Sequence, residues 1–175
     1  MIGLVLEDAV TMGGRPNAVR ALPWAMIRTG FWVLAIHRFS ARIHRFGGIG
    51  RWLACAASFF VQVMSGCHVD PRAVIGRRVR LPHAVGIVIG SGAVVGDGVT
   101  IYQQVTLGSH GRRDEAMGYP RIGDDVVLFA GAVVVGGVAV GSGAIVGAHA
   151  VVLSDVPPGS VAIGIPAACR SRGVP

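Results

Sequence analysis

Aliphatic residues recur every sixth position through the larger part of the chain. Four residues after almost every one of these anchors stands Val or Ala, which forms a second apolar register. The thirteen anchors are, in order, Val69, Ile75, Leu81, Ile89, Val95, Ile101, Leu107, Ile122, Leu128, Val134, Val140, Val146 and Val152. Short strands with one bulky and one small inward residue per unit of six are typical of a parallel β-helix. The pattern therefore predicts stacked coils with an aliphatic core.

Glycine supports the same interpretation, because it follows the anchor at a fixed phase. It stands there at Gly76, Gly90, Gly96, Gly108, Gly123, Gly141 and Gly147. A turning backbone benefits from the absence of a Cβ. A β-sandwich would not need a glycine at this phase, so we prefer a wound coil. The spacing alone leaves the handedness of the coil open.

The sixfold period slips twice. A small slip falls at residues 82–86, and a large one spans about 109–121. A solenoid can extrude insertions without disturbing its stack, so we expect both segments to lie outside the core. Loops that a rigid scaffold positions often carry function. The candidate chemistry is therefore expected at these two slips.

The first third of the chain shows a different period. Apolar residues recur at spacings of three and four from residue 24 to about residue 43, and a second such run extends over residues 51–64, with glycines between them. This predicts two helices, the first of which starts at Pro23.

Val85 belongs to the second register of the coils, so we expect it to point inward.

Arginine alone carries the positive charge of the chain. There are 16 basic residues, none of them Lys, against 9 acidic ones, for a net charge of +7 and a pI near 10.9. Most of the excess lies in residues 1–66, where Arg38, Arg42 and Arg45 share one side of the first helix. That side is either a solvated face of a docked helix or a membrane-surface contact. For nucleic acid there is neither aromatic interleaving nor a recognisable reading helix, so no nucleic-acid partner is expected.

Length and composition bound the remaining possibilities. The chain has 175 residues, of which 52% are hydrophobic and 14% charged, as expected of one folded domain with a helical appendage. The three cysteines have neither metal-ligand nor disulfide-framework spacing, so we expect no metal and a reduced, cytoplasmic setting. No signal peptide is apparent. The longest apolar run, about residues 52–64, falls short of the ~20 residues that span a bilayer, so no transmembrane helix is predicted.

Two segments of the chain resemble a known family. The run DPRAVIGRRVRLPHAVGIVIGSGAVVGDGVTIYQQVTLGSHG, followed by IGDDVVLFAGAVVVGGVAVGSGAIVGAHAVVLSDVPPGSVAIGIPA, resembles the hexapeptide-repeat acyltransferases, and among them the serine O-acetyltransferases. The likeness covers roughly residues 66–168. It implies a left-handed parallel β-helix over residues 67–168 with an extruded loop at 109–121, an α-helical segment over 1–66 and a tail over 169–175.

The resemblance also implies an activity and an assembly. It implies acetyl-CoA as co-substrate, with no permanently bound cofactor, a small hydroxyl acceptor such as serine, and a place in cysteine biosynthesis. It further implies a homotrimer or a dimer of trimers, with active sites between adjacent prisms. No metal and no covalent intermediate are required.

The resemblance assigns His83, in the first slip, as the general base. An alcohol is a poor nucleophile near neutral pH, and an imidazole with a pKa near 6.5 can take its proton during attack on a thioester. The family has an Asp that orients the base where this chain has His68, and Asp70 is close by. Either residue is a candidate for supporting His83.

The other candidate residues follow from family position. The pantetheine arm of CoA is expected to run along four small residues, Gly108, Ser109, Ala130 and Ala148. The acceptor side is expected to include Pro82, Tyr119, His110 and Arg121. His110 is either a hydrogen-bond donor to substrate or a solvent-exposed loop residue. Arg112, Arg113 and Arg121 are each either partners of CoA phosphates or solvated charges.

Three departures from the serine-specific pattern leave the acceptor open. The family usually has an acidic residue at the position of Pro82, an Asp at the position of His68, and an Arg-His pair where this chain has Gly118 and Tyr119. Acetylation of serine or a serine-like compound is therefore one hypothesis. The alternatives are acetylation of a sugar, polysaccharide or secondary-metabolite hydroxyl, and a non-catalytic β-helix scaffold.

Overall fold

The computed structural model describes residues 2–15, 17–110 and 118–171, which form a helical segment followed by a prism of short strands. The helices are α1 Ile2–Gly13, α2 Ala18–Met26, α3 Thr29–Ile43 and α4 Gly48–Ser65, with a 3₁₀ turn at His44–Phe46. The strands are β1 His68–Val69, β2 Val74–Ile75, β3 Val88–Ile89, β4 Val94–Val95, β5 Thr100–Ile101, β6 Thr106–Gly108, β7 Arg121–Ile122, β8 Val127–Leu128, β9 Val133–Val135, β10 Ala139–Val140, β11 Ile145–Val146, β12 Val151–Val152, β13 Val161–Ile163 and β14 Ala168–Arg170.

The strands form three sheets, one on each side of the prism. The first sheet has the order β1-β3-β6-β9-β12, the second β10-β7-β4-β2 and the third β14-β13-β11-β8-β5. Successive strands from β1 to β13 pass from one sheet to another and pair in parallel with their neighbours, whereas β14 stays in the third sheet and pairs antiparallel with β13. The fold is a left-handed parallel β-helix, as the resemblance implied.

The strand pairing shows how the fold accommodates the two slips of the sequence period, since the coils that contain them are longer. A regular coil takes eighteen residues, as from Val133 to its partner Val151. The coil that contains the first slip takes twenty, from Val74 to Val94. The next pairing, of Val94 with Arg121, spans twenty-seven residues because it includes the large slip. Both insertions leave the pairing of the flanking strands intact.

The predicted anchors form the core. Twelve of the thirteen are buried, and Ile75 packs against the same cluster while half-buried. The second register is also buried, with one exception: Val85 is 57% exposed, so the prediction that it points inward is wrong. The two extra residues of the first slip shift the phase, and Ala84 and Ile87 fill the core in its place.

Glycines after the anchors serve a different purpose from the predicted one. Their backbones do not turn with positive φ. Instead, a Cβ on Gly76, for instance, would collide with the backbone of Gly96 in the next coil. Gly96, Gly123, Gly141 and Gly147 likewise allow adjacent coils to stack closely, whereas Gly90 faces the ring of Tyr119 and Gly108 has no close neighbour. Positive φ occurs at other corner positions of the prism, namely Arg78, Gly98, Asp125, Gly143 and Gly159 between the second and third sheets, Gly86, Gln104, Gly131 and His149 between the third and first, Gly136 between the first and second, and Gly164 in the reversal between β13 and β14.

The helical segment departs from the prediction of two helices. Within the described residues it has four α-helices and a 3₁₀ turn, although α4 covers the predicted second helix. The predicted first helix is divided, because Arg28 is extended between α2 and α3. Pro23 lies inside α2 and does not start it, since Asn17 caps this helix by accepting a hydrogen bond from the backbone N–H of Arg20 at 3.0 Å. The prediction of a helix start at Pro23 is therefore wrong.

A buried ion pair joins the helices to the prism. Arg38, which is 8% exposed, donates from Nε to Asp8 Oδ2 at 2.6 Å and from Nη2 to Asp8 Oδ1 at 3.0 Å. The same guanidinium donates to the backbone carbonyls of Ile75 and Gly76, at 3.3 Å and 2.9 Å. The expectation that Arg38 belongs to a solvated face is therefore wrong, whereas Arg42 and Arg45 are exposed as expected. One side chain thus holds α1, α3 and the first coil together.

The opposite end of the prism is closed by a reversal of direction. β14 pairs antiparallel with β13, with Ala162 opposite Cys169. The coil before it is short, since Ile145 pairs with Val161, sixteen residues on. The last strand therefore runs against the outermost parallel strand of the third sheet.

Among the described helices, none on its own has the length and apolar composition needed to cross a membrane. One bent pair, Ala18–Met26 with Thr29–Phe46 at 106°, meets the length and composition test when the two helices are taken together.

Replacing Arg38 should destabilise the fold, because the Asp8 carboxylate would stay buried without its partner. We expect Arg38→Ala to lower the free energy of unfolding by about 3–5 kcal/mol, measured by urea denaturation followed by circular dichroism. The double variant Asp8→Leu/Arg38→Met should recover part of the loss, since it buries no charge. Arg20→Ala, at an exposed position, is the control, and an equal effect of the two alanine variants would contradict the role of the pair.

Candidate active site

His83 lies in the turn that the first slip creates. The turn leaves the third sheet after buried Leu81 and enters the first sheet at Val88, and buried Ala84 holds it against the core. The His83 carbonyl accepts a hydrogen bond from the backbone N–H of Val85 at 2.9 Å. The imidazole is exposed at the surface. A tight, anchored turn thus presents the ring outward, where a second molecule can reach it.

Two aromatic rings continue from His83 along the same corner. The His83 and Tyr102 ring centroids are 6.4 Å apart, and Tyr102 stacks on Phe129 at 5.2 Å and 8°. Beside them, the buried side-chain oxygen of Gln103 has no hydrogen-bond partner among the described residues. The sequence analysis missed all three residues. Tyr102 and Phe129 each follow directly on a core anchor in the coil register, and that spacing was a usable signal.

His68 and Asp70 lie at opposite ends of one edge strand. His68 is the first residue of β1 and alternates with buried Val69, so it faces outward on the first sheet, near the corner that carries His83. Asp70 follows β1 and binds Arg72, whose Nε is 3.0 Å from Oδ1 and Nη2 3.1 Å from Oδ2. Burial alone would raise the pKa of Asp70, but the guanidinium and backbone N–H of Arg72 hold it below its ordinary value. Within the described residues, neither side chain hydrogen-bonds to His83.

Tyr119 packs on the other edge of the first sheet. Its ring covers two glycines, and a Cβ on Gly90 or Gly92 would collide with it. The phenol oxygen accepts a hydrogen bond from the Ser91 hydroxyl at 3.1 Å. This bond first, and the Ser109 hydroxyl second, lower the pKa of Tyr119. Glycine at positions 90 and 92 thus creates the space that this ring fills.

The remaining candidates divide between the same two edges. Gly108 ends β6, and the ring of exposed His110 lies against Gly136. Arg121 begins β7 on the second sheet and is exposed. Arg112 and Arg113 lie outside the described residues.

Pro82, Ala130 and Ala148 belong to the edge that carries His83. Pro82 is half-buried in the turn, and Ala130 and Ala148 occupy the same corner in later coils. The Ala130 carbonyl accepts from the backbone N–H of His149 at 2.9 Å. We call this edge the His83 corner (residues 82–87, 102–105, 129–132 and 147–150). The other edge, which carries Tyr119, is the Tyr119 corner (residues 70–73, 90–93, 108–110, 118–120 and 136–138).

A single chain therefore presents two candidate half-sites, with the first sheet between them. The His83 corner offers an exposed imidazole beside stacked aromatic rings, and the Tyr119 corner offers small residues, hydroxyls and a phenol. The first can take a proton from an acceptor hydroxyl, and the second can bind polar ligand groups closely. No cluster of three or more His, Cys, Asp or Glu side chains suited to a metal ion occurs in the described part of the chain.

Comparison with known proteins identifies the family to which the chain belongs. Residues 119–154 match the model of the bacterial transferase hexapeptide (six repeats). The serine acetyltransferase of Mycobacterium tuberculosis is 40% identical over 151 residues, which are 86% of this chain and 65% of the relative. That of Helicobacter pylori is 40% identical over 141 residues, which are 79% of this chain and 80% of the relative. The chain thus spans just under two thirds of the first relative and most of the second.

Solved structures agree over nearly the whole chain. A soybean serine acetyltransferase complexed with serine matches with a TM-score of 0.86 and 34% identity, covering 96% of this chain and 68% of that one. A serine acetyltransferase in complex with CoA matches with a TM-score of 0.84 and 29% identity, covering 97% and 69%. The similarity therefore includes the helical segment as well as the prism.

The hydrogen bond from Ser91 should be visible in the titration of Tyr119. We expect the phenol to ionise below its ordinary value of 10.0, because the Ser91 hydroxyl stabilises the phenolate. Ultraviolet absorbance of phenolate against pH measures this, and Tyr119→Phe identifies the transition. Ser91→Ala should raise the midpoint, whereas Ser142→Ala, at a different corner, should not. An unchanged midpoint in Ser91→Ala would contradict the assigned hydrogen bond.

Proposed function

Because the chain belongs to the serine acetyltransferase family of hexapeptide-repeat transferases, we propose that it transfers an acetyl group from acetyl-CoA to the hydroxyl of serine or a serine-like small acceptor. The observation that carries the proposal is His83, an exposed imidazole held by a rigid turn next to a surface of small and aromatic residues. Relatives complexed with CoA and with serine support the two substrate classes.

The reaction proposed is a direct transfer. A neutral imidazole nitrogen of His83 takes the proton of the acceptor hydroxyl. At the same time, the oxygen of that hydroxyl bonds to the carbonyl carbon of the thioester. The tetrahedral intermediate then collapses, the carbon–sulfur bond breaks, and the imidazolium returns the proton to the CoA sulfur. Base catalysis of this kind contributes about 10²–10⁴-fold, and holding the two substrates together supplies much of the remaining rate enhancement.

Support for the base is proposed to come from His68 rather than Asp70. His68 faces outward close to the His83 corner, whereas the carboxylate of Asp70 is already bound in bidentate fashion by Arg72. A neighbouring side chain that fixes the imidazole would keep one nitrogen directed at the acceptor.

The active site is proposed to form between chains of a homotrimer, alone or as a dimer of trimers. The two half-sites lie on different corners of one prism, so a second chain can bring a Tyr119 corner to the His83 corner of the first. Closed cyclic assemblies are common among such oligomers. On this view CoA binds along Gly108, Ser109, Ala130 and Ala148, and the acceptor lies near Pro82, Tyr119, His110 and Arg121.

A membrane-surface contact through the helices is also proposed. The outward side of α4 is apolar, with Trp52, Phe59, Phe60 and Val63 exposed, and Arg51 lies on its flank. Exposed aromatic residues next to arginine suit an anionic lipid surface. This observation favours a second candidate acceptor, a sugar or polysaccharide hydroxyl near the membrane.

The compartment we propose is the cytoplasm. Cys55, Cys67 and Cys169 are all unpaired thiols, which is usual in a reducing environment. Acetylation of serine there would place the product on the route to cysteine.

Loss of the base should slow turnover strongly without unfolding the protein. We expect His83→Asn to lower kcat by about 10²–10⁴-fold, because no other group takes the acceptor proton. Release of free thiol from acetyl-CoA measures the rate, while the melting temperature and CoA binding should stay at wild-type values. Undiminished turnover would remove His83 from this role. Wild-type protein that releases no thiol with any acceptor would favour the scaffold hypothesis.

A panel of acceptors should identify the substrate. With saturating acetyl-CoA, we expect kcat/KM for serine to exceed the values for homoserine, threonine and simple sugars, because the relatives that this chain matches are serine acetyltransferases. The same thiol-release measurement serves for every compound, and a reaction without acceptor gives the hydrolysis background. A sugar that led the panel would favour the second candidate.

A further inference from the structure

A cavity of about 460 Å³ lies between the helices and the first coil; it borders the Tyr119 corner at residues 71–73 but includes none of the candidate catalytic or substrate-binding residues. Its walls come from Leu4 of α1, from residues 37–45 of α3 and the 3₁₀ turn, and from residues 71–75 of the prism. His83 and the residues expected to contact CoA take no part in it. A volume of this size suits a small-molecule ligand.

The walls of this cavity carry positive charge without acidic residues among them. Four arginines and two histidines line it, and no Asp or Glu does. Arg38 and Arg72 are already paired, with Asp8 and Asp70 outside the cavity walls. Arg42 and Arg45 stand one helical turn apart, and no carboxylate of the described residues lies within 4.0 Å of either guanidinium. Two guanidinium groups are thus free to bind an anion.

A buried polar group in the wall adds to this. His37 is 5% exposed, and its Nδ1 has no hydrogen-bond partner among the described residues. Burial, reinforced by the nearby charge of Arg38, lowers the pKa of His37 to about 4, so the ring is neutral near pH 7. Buried polar atoms are normally satisfied, so Nδ1 is open to a hydrogen bond from a ligand group that carries a proton.

We propose that this cavity is a second binding site, for a small anion bearing one or two phosphate groups. Guanidinium groups pair with phosphate oxygens through two parallel hydrogen bonds, which fits the free Arg42 and Arg45. Leu4, Ala41 and Val74 provide an apolar wall for the part of the ligand that carries no charge. The bound anion contacts α1, α3 and the first coil together, so it also stabilises the junction held by Asp8 and Arg38.

The test is a calorimetric titration of the full chain with pyrophosphate at physiological ionic strength. We expect saturable binding to the wild type and a rise in Kd of at least about tenfold in Arg42→Gln/Arg45→Gln, since charge-assisted hydrogen bonds are lost. The matched control is Arg20→Gln/Arg51→Gln, which removes the same net charge from exposed positions and should change Kd by less than about twofold.

A variant with unchanged charge distinguishes binding inside the cavity from non-specific attraction of pyrophosphate to the basic surface. Ala41→Phe keeps every charge and fills the space from its wall, so it should also weaken pyrophosphate binding. His83→Asn should bind pyrophosphate like the wild type, which keeps this result independent of the proposed transferase activity. Equal Kd values in the wild type, Arg42→Gln/Arg45→Gln and Ala41→Phe, or no saturable binding at all, would overturn the proposal.

Vesicles identify the source of the phosphate. Flotation with phosphatidylglycerol vesicles, against phosphatidylcholine as control, tests whether a lipid headgroup occupies the cavity. Binding that pyrophosphate displaces and that Arg42→Gln/Arg45→Gln loses assigns the site to a headgroup. Pyrophosphate binding that depends on these arginines, with vesicle binding absent or unchanged in the variant, assigns it to a soluble phosphate compound.

Discussion

The constraint on which the prism depends is the parallel hydrogen-bond ladder between successive coils. Each strand has only two or three residues, and an isolated segment of that length has no stability of its own. It persists because the coils above and below satisfy its backbone groups and because one aliphatic side chain per strand enters a continuous column. Variation is therefore admitted only at corners, between one anchor and the next. Both insertions of this chain occur there, the small one at the His83 corner and the large one at the Tyr119 corner.

The anchors could be predicted because sixfold spacing states directly which side chains face inward. Val85 could not, since two inserted residues changed the phase inside the turn. Nor could the left-handed corner positions, because Arg78, Gln104, Asp125 and His149 occupy them as well as glycine. The glycines after the anchors were recognised as special, but their purpose depends on the distance between coils, which a single sequence period does not contain.

The helical segment was less predictable, because its key contact is distant in sequence. Arg38 looks like its neighbours on a basic face, and only the fold brings it to Asp8, thirty residues earlier. The candidate site was likewise predictable only in part. The slip and the family likeness pointed to His83, whereas the separation of the His83 and Tyr119 corners follows from which sheets each insertion connects. The stacking of Tyr102 on Phe129 depends on the twenty-seven-residue coil, whose length is set by the large insertion.

The antiparallel pairing of β14 with β13 has a consequence beyond this one chain. A stack of parallel coils has no natural limit, since the last coil offers the same unpaired backbone groups as every coil before it. An edge of that kind can template the addition of another molecule, as in fibril growth. Because β14 runs in the opposite direction, it covers the terminal edge of one sheet with a strand that cannot continue the winding, while the helices occupy the other end. The prism therefore has a defined number of coils.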